Sequence, residues 1–270
     1  MTAAVLPDRL RLRYEKLGRV RFTSQRDLAR LMERAMRRCA LPLKRSAGFS
    51  PRPLVSFGLA LPTGCASRAE YLDLRLDPEA DSASVKVVAT GDHDPADLVG
   101  LCAQLSDALP VGVTVTVAAG LDGTESSLQE AVTSCDWEVE VLGVSPAEMA
   151  RRLEHLLVAD VVTVARERKG RTVTDDIRPN LRSLAVSPHP VRVVDGLGEV
   201  VALTATLSTR PRGVRPSELC GALGGDVTLV GASRTCQWIE SEDLTVREEP
   251  LSPAGLVASG RPVGAEAPGG

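Results

Sequence analysis

The spacing of apolar residues in this chain switches between the two-residue period of strands and the 3.6-residue period of helices, and this order limits the possible folds. The segment RLRLRYEK alternates arginines with leucines and a tyrosine, which predicts a half-buried strand over 9–16. Val20 and Phe22 continue the alternation after a glycine turn. Ser24 is a suitable N-cap for a helix over 25–39, whose apolar residues share one face.

The first half of the chain then supplies the remaining elements of a βαββαβ unit. Short strands are predicted within 54–61 and over 70–77, and residues 78–95 are interpreted as an insertion or loop. Apolar residues spaced along 98–109 indicate an amphipathic helix that stops before a proline, and 113–119 is a β-rich run. The order strand, helix, strand, strand, helix, strand is that of the ferredoxin-like motif.

A second pass through the same order follows a linker over 120–133. The predicted elements are a strand over 136–142, a helix opened by Ser145 and Pro146, a strand over 161–168, an extended stretch over 171–194, a strand over 200–208, a helix opened by Pro216 and a strand over 227–239. We therefore predict an α+β chain of two tandem ferredoxin-like (βαββαβ) domains, over 1–120 and 134–240. The Pro-, Gly- and Ala-rich tail over 243–270 is predicted to be disordered.

The charge of the chain is divided unevenly. Residues 1–52 contain 14 basic and four acidic side chains, a net charge of +10, whereas the other residues contain 18 basic and 31 acidic ones, for a total of −3. This block predicts contact with a polyanion, and RNA is the partner we expect. The candidate RNA-binding residues are Arg21, Arg26, Arg30, Arg34, Arg37, Arg38, Lys44, Arg45, Gly48, Phe49 and Arg52.

Plainer interpretations of these residues stay open. A ridge of arginines on a helix is usually a solvated face, and Arg9, Arg11 and Arg13 could line an open sheet face or meet the second domain. Phe49 and Phe57 could be base-stacking platforms or ordinary core aromatics.

Motifs that would carry catalysis or bind a metal are absent from the sequence. The three histidines and six cysteines lack metal-ligand spacing, no nucleophile or phosphate-loop motif occurs, and the cysteines are expected to be free thiols. Asp175 and Asp176 fit a turn or a salt bridge better than an acid–base pair. We expect no catalytic residue, metal or cofactor.

The 43% hydrophobic content excludes global disorder, and the lack of a long apolar run or signal peptide predicts a cytoplasmic protein with no membrane contact.

Several linked motifs carry a resemblance to a known family. RFTSQRDL, RAMRR, GFSPRP, SFGLALPTG and SRAEYLDL occur in order within residues 21–74, and TVTDDIRPNL follows at 172–181. The chain resembles the bacterial radical SAM-linked domain family of unknown function. The resemblance implies a protein fused to, or encoded near, a radical SAM enzyme. The family usually has histidine at the positions of Gln25 and Arg52, so a role for those histidines is not expected here.

Three functions are compatible with these observations. The first is a non-catalytic accessory protein that binds tRNA or rRNA and presents it to a separate radical SAM enzyme, because the chain lacks the CxxxCxxC ligands of such a cluster. The second is an interaction module whose basic face docks an acidic partner subunit. The third is an RNA-processing enzyme of ferredoxin-like type, an inference by analogy of fold.

Overall fold

A computed structural model shows a mixed α+β fold built on one large sheet with few helices. The structure describes residues 8–77, 95–121, 126–168, 170–194, 196, 198–241 and 245–251. The N-terminal half contains β1 (Arg9–Lys16), α1 (Gln25–Arg38), β2 (Val55–Phe57), β3 (Ala66–Arg75), α2 (Pro95–Ala108) and β4 (Val113–Leu121). The C-terminal half contains α3 (Leu128–Ala131), β5 (Ser134–Leu142), α4 (Pro146–Val158), β6 (Thr163–Arg168), β7 (Arg171–Asp176), β8 (Leu181–Val194), β9 (Gly198–Ser208), α5 (Pro216–Leu223), β10 (Thr228–Glu240) and β11 (Arg247–Glu248).

The strands of both halves hydrogen-bond into a single sheet. Its order is β4-β1-β3-β10-β5-β9-β8, with β2 on the edge of β3, β11 on the edge of β10, and β6 and β7 forming a separate hairpin. Within the N-terminal half the order is β4-β1-β3-β2, and every pair is antiparallel. Within the C-terminal half the order is β10-β5-β9-β8, again antiparallel throughout. The halves meet where β3 and β10 run parallel for two residue pairs, Ala66 with Ser233 and Ser67 with Arg234.

Each half has its own apolar core under its own helices. In the N-terminal half, Leu28, Met32 and Met36 of α1 are buried against a core that includes Leu12 of β1 and Leu72 of β3. The Ser24 hydroxyl accepts a hydrogen bond from the Asp27 amide at the start of α1, as its N-cap position predicts. In the C-terminal half, the core includes Met149 and Leu153 of α4, Leu219 of α5, and Val139 and Leu203 of the sheet.

A buried ion pair lies at the seam between the halves. The Arg234 guanidinium on β10 donates to the Glu70 carboxylate on β3 at 2.9 Å, and both residues are 3% exposed. Arg234 also donates to the carbonyls of Leu59 (3.2 Å) and Ala60 (3.1 Å), and its guanidinium carbon lies 5.0 Å from the ring centroid of Trp137 on β5. One side chain therefore holds three segments together at the point where the sheet is joined by only two residue pairs.

Residues 247–248 pair with β10 and residues 249–251 contact the first half, although the sequence predicts disorder for the whole of 243–270. Glu249 accepts a hydrogen bond from the Tyr71 hydroxyl at 3.2 Å, and the Pro250 carbonyl accepts one from Arg11 at 3.3 Å. Leu251 packs against a small cluster that includes Tyr71. The sequence prediction is wrong for this segment because its partners are charged and aromatic groups distant in sequence. Residues 242–244 and 252–270 lie outside the described residues.

The structure also differs from the predicted secondary structure at three segments whose sequence patterns are short. Val20 and Phe22 belong to a 3₁₀ helix, Gly18–Phe22, with Val20 buried, so they do not continue the first strand. The strand predicted within 54–61 is only three residues long, Val55–Phe57, and it pairs with β3. The linker over 120–133 contains α3.

The extended stretch over 171–194 is two strands separated by a 3₁₀ turn, Arg178–Asn180. The predicted insertion over 78–95 lies outside the described residues except for Pro95, where α2 begins. None of the helices in the described part of the chain has the length and apolarity needed to cross a membrane.

The Arg234–Glu70 pair yields the first prediction. Glu70→Ala leaves a buried guanidinium without its counter-charge, and we expect it to lower the free energy of unfolding by about 3–5 kcal/mol. Glu70→Gln, which keeps an acceptor, should cost less. Asp8→Ala is the control, since Asp8 pairs with Arg75 at 3.7 Å and both side chains are more than half exposed. That change should stay within about 0.5 kcal/mol in denaturant unfolding. Equal losses for Glu70→Ala and Asp8→Ala would contradict the role of the pair.

Candidate nucleic-acid interface

The polar face of α1 carries a row of solvent-exposed cations. At about 100° per residue, the row falls within about 120° of the helix surface. Its members, all exposed, are Arg26, Arg30, Arg34, Arg37 and Arg38. Among the described residues, the ion pair formed by this row is Arg30 with Asp27 at 3.2 Å, and both side chains are more than half exposed. Exposed pairs of this kind contribute little, so the row remains available to a polyanion.

A short loop after α1 presents further cations beside an aromatic ring. The Lys44 amide donates to the Arg75 carbonyl of β3 at 2.9 Å, which ties the base of the loop to the sheet edge. Arg45 pairs with Pro53, and the Ser46 amide donates to the Arg52 carbonyl at 2.9 Å. These contacts close the loop, with the exposed Arg45 and Arg52 on its two arms below the tip, and the Arg45 guanidinium donates to the Pro51 carbonyl at 3.4 Å.

Phe49 lies at the tip of this loop, and its side chain is completely exposed, at 110% of the reference area. The core interpretation is therefore wrong for Phe49. It is right for Phe57, which is half-buried and packs against the N-terminal core. Gly48 has a φ of +118°, and no atom lies within 4 Å of the position that a Cβ would occupy, so its backbone lies in open space next to the ring. The loop thus presents the flat apolar ring of Phe49 to solvent, with the exposed cations of the loop nearby.

The remaining predicted residue, Arg21, lies at the opposite end of α1 from the loop. It precedes the helix, whose 14 residues span roughly 20 Å. The Arg21 guanidinium carbon lies 4.8 Å from the ring centroid of Phe22, and its Nε is buried without a hydrogen-bond acceptor in the described part of the chain. Phe22 itself is 61% exposed, a second surface aromatic that sequence reasoning missed because it placed Phe22 in a strand.

The arginines of β1 do not belong to this surface. Arg11 is 3% exposed and donates to both oxygens of Asp73, at 2.7 and 3.0 Å, and Arg9 donates to the same carboxylate at 2.8 Å. Arg13 contacts the Glu249 carboxylate at 3.5 Å. The sheet face opposite the helices is therefore an internal ion-pair network. We call Lys44–Arg52, together with the exposed arginines of α1, the basic surface.

Asp175 and two of the cysteines, which could carry acid–base or covalent chemistry, are ion-paired or buried. Asp175 is ion-paired with Arg166 and with Arg212, at 2.8 Å for the latter, and a hydrogen bond from Arg166 lowers the pKa of its carboxyl. Burial raises the pKa of the Cys102 and Cys135 thiols to about 11, so both stay protonated near neutral pH. No cluster of three metal-ligating side chains occurs in the part of the chain that the structure describes.

Fold and surface together define a mixed α+β protein with a basic, aromatic-tipped surface on its N-terminal half. Residues 9–216 match the model of a family described as "Uncharacterized protein conserved in bacteria (DUF2344)". The chain belongs to this family.

The solved structures similar to the chain include two complexes. One is "Crystal Structure of a Cbf5-Nop10-Gar1 Complex", with 9% identity, a TM-score of 0.40, and coverage of 86% of this chain and 49% of that one. The other is "Structure of H/ACA RNP bound to a substrate RNA containing 2'-deoxyuridine", with 7% identity, a TM-score of 0.38, and coverage of 88% and 53%. The chain thus spans about half the length of these structures. No curated protein matches the chain.

The exposure of Phe49 leads to a stability prediction. Phe49→Ala should change the free energy of unfolding by less than about 0.5 kcal/mol, because the ring makes no core contact. The matched change Phe57→Ala should cost roughly 1–3 kcal/mol, because that ring packs against the core. Denaturant unfolding of the two variants measures both values. A loss at Phe49 as large as that at Phe57 would mean that the tip of the loop is packed.

Proposed function

We propose that this protein binds RNA through its basic surface, with Phe49 stacking on an unpaired base. The observation that carries the proposal is the complete exposure of Phe49 at the tip of a loop whose two arms carry the exposed Arg45 and Arg52. Burying an aromatic ring is favourable, and a loop that holds one in solvent with two exposed cations on its arms is suited to a partner with flat rings and phosphates. Single-stranded nucleic acid offers both, because its unstacked bases can splay out onto aromatic side chains.

The exposed cations of α1 supply the electrostatic part of this proposal. Their guanidinium groups are solvated and project from one rigid helix, so phosphates can be bound without reorganising the fold. Arg26, Arg34 and Arg37 form no ion pair with a described carboxylate. An arginine that is free of acidic partners contributes its full charge to counterion release.

We also infer that each half of the chain is a ferredoxin-like unit. Both halves have the element order strand, helix, strand, strand, helix, strand, and both have the antiparallel strand order fourth, first, third, second. The C-terminal half carries the β6–β7 hairpin as an addition between its first helix and its second strand. On this interpretation the basic surface belongs to the first helix of the first unit and to the connection that follows it.

The proposed biological role is that of an accessory protein. The sequence resemblance implies a separate radical SAM enzyme as the partner, and this chain would present tRNA or rRNA to it in the cytoplasm. Any iron–sulfur cluster would belong to that partner, because the six cysteines of this chain include no CxxxCxxC run. The support for this role is the resemblance alone.

The salt dependence of RNA binding tests the proposal. Fluorescence anisotropy with a labelled single-stranded RNA should give an affinity that falls steeply between low and moderate salt. Arg26→Glu with Arg34→Glu should weaken binding and reduce the slope of log affinity against log salt by about 1.4, or roughly 0.7 for each phosphate that is no longer neutralised. Phe49→Ala should weaken binding by about 1–3 kcal/mol with little change in slope.

The control for the double variant has the same change of charge on exposed arginines elsewhere. Arg68 of β3 and Arg171 of β7 are exposed, and their replacement by glutamate should leave the affinity and the slope close to those of the native protein. Equal weakening by both double variants would show that only net charge matters, and would overturn the assignment to α1. Co-purification of an acidic protein that survives nuclease treatment, without measurable RNA affinity, would favour a protein-docking function instead.

A further inference from the structure

A cleft of about 710 Å³ opens where the two halves of the chain meet. One wall is the loop over 59–63, and the other is formed by residues 207–217, which lead into α5. Trp137 and Arg234 lie at its floor, next to the seam of the sheet. The volume falls in the range of small-molecule sites, which occur preferentially at such junctions.

The floor and one wall of the cleft are fixed by Arg234. This side chain is buried, and its two terminal nitrogens donate to the carbonyls of Leu59 and Ala60 in the wall and to Glu70 behind it. Its Nε, however, is buried without a hydrogen-bond acceptor in the described part of the chain. Buried donors in folded proteins are paired in the great majority of cases, so this nitrogen calls for an acceptor that the described residues do not supply.

The lining of the cleft favours an anion. Among its described lining residues are two arginines, Arg215 and Arg234, and four hydroxyl side chains, but no carboxylate. The charge of Arg234 is balanced by Glu70, whereas Arg215 is exposed at the N-cap position of α5. Ser217 follows in the first turn of that helix and also lines the cleft, whereas the Glu218 carboxylate accepts from the Arg215 amide at 2.8 Å, pairs with Arg212 and is not part of the lining.

The same lining also favours a flat, apolar group. Leu61, Leu207 and Val214 supply apolar walls. At the floor the Arg234 guanidinium lies over the Trp137 ring, 5.0 Å from its centroid, and both groups are of the kind on which nucleic-acid bases stack in other proteins.

We propose that this cleft binds a phosphorylated nucleoside, with the phosphate at Arg215 and Ser217 and the base against the floor. The described lining of the cleft shares no residue with the basic surface. The same chemistry could come from a free nucleotide or from a nucleotide within RNA.

The two tryptophans of the chain provide a local readout. Trp137 lines the cleft, whereas Trp238 contacts Asp136 and Arg247 outside it. In a ¹⁵N-labelled sample of the full chain, each indole gives one N–H signal, and Trp238→Phe identifies which is which. Titration with AMP, GMP, CMP and UMP should move the Trp137 signal in a saturable manner and leave the Trp238 signal in place.

Variants and simpler probes make the test decisive. Arg215→Glu and Arg215→Gln should weaken binding of the monophosphate roughly tenfold or more, as expected when a charge-assisted hydrogen bond is lost. The exposed control Arg171→Glu and the double variant Arg26→Glu with Arg34→Glu should leave it unchanged. A short single-stranded RNA that moves the signal at lower concentration than any monophosphate would identify RNA as the source, and the reverse preference would identify free nucleotides.

Three results would overturn the proposal. The first is a Trp137 signal that no monophosphate moves at millimolar concentration. The second is an unphosphorylated nucleoside that binds as well as its monophosphate, because the phosphate would then contribute nothing. The third is inorganic phosphate that binds as well as the nucleotides, because the base would then be irrelevant. The RNA affinity of the basic surface can persist in all three cases, so failure here leaves the proposed function intact.

Discussion

The buried contact between Arg234 and Glu70 is the constraint on which the rest of the structure depends. β3 and β10 share only two residue pairs, too few to hold two half-sheets together by backbone hydrogen bonds alone. The ion pair spans that junction, and the remaining donors of Arg234 fix the loop over 59–60. A buried pair of this kind gains little over an apolar contact in stability, but it demands one geometry, because an unpaired partner would be costly. The continuous sheet and the cleft beside it both follow from that geometry.

The basic block at the start of the sequence is divided by the fold into two populations with opposite roles. The arginines of β1 turn inward or along the sheet and are neutralised by Asp73 and by Glu249. The arginines of α1 and the loop point to solvent. Residues that alternate with leucines along a strand lie on the opposite face of the same sheet, where they can meet charged groups of neighbouring strands. Helix residues opposite an apolar stripe lie outside the core. The net charge of +10 therefore overstates the surface that a polyanion meets.

Local patterns predicted most of the secondary structure, and their failures have identifiable causes. The helix begun by Ser24 and the helix begun by Pro146 follow from capping residues and apolar spacing, which act within a few residues. Phe22 was misplaced because a run of two alternating residues cannot distinguish a strand from a 3₁₀ turn. Disorder is the wrong prediction for 249–251 because Glu249 and Pro250 are held by Tyr71, Arg11 and Arg13, which are more than 170 residues away. The charge of α1 and the loop was enough to identify their residues as candidates, but it could not show that these residues are exposed.

The sequence by itself determined most of the order of strands and helices, the arginine-bearing face of α1 and the family to which the chain belongs. These properties depend on spacing, capping and motif, which are local. Only the tertiary structure decided that both halves share one sheet, that the arginines of β1 are internal, and that Phe49 stands in solvent. It also decided that Trp137, Arg215 and Arg234 line one cleft. Each of these outcomes depends on contacts between segments far apart in the chain, which periodicity cannot encode.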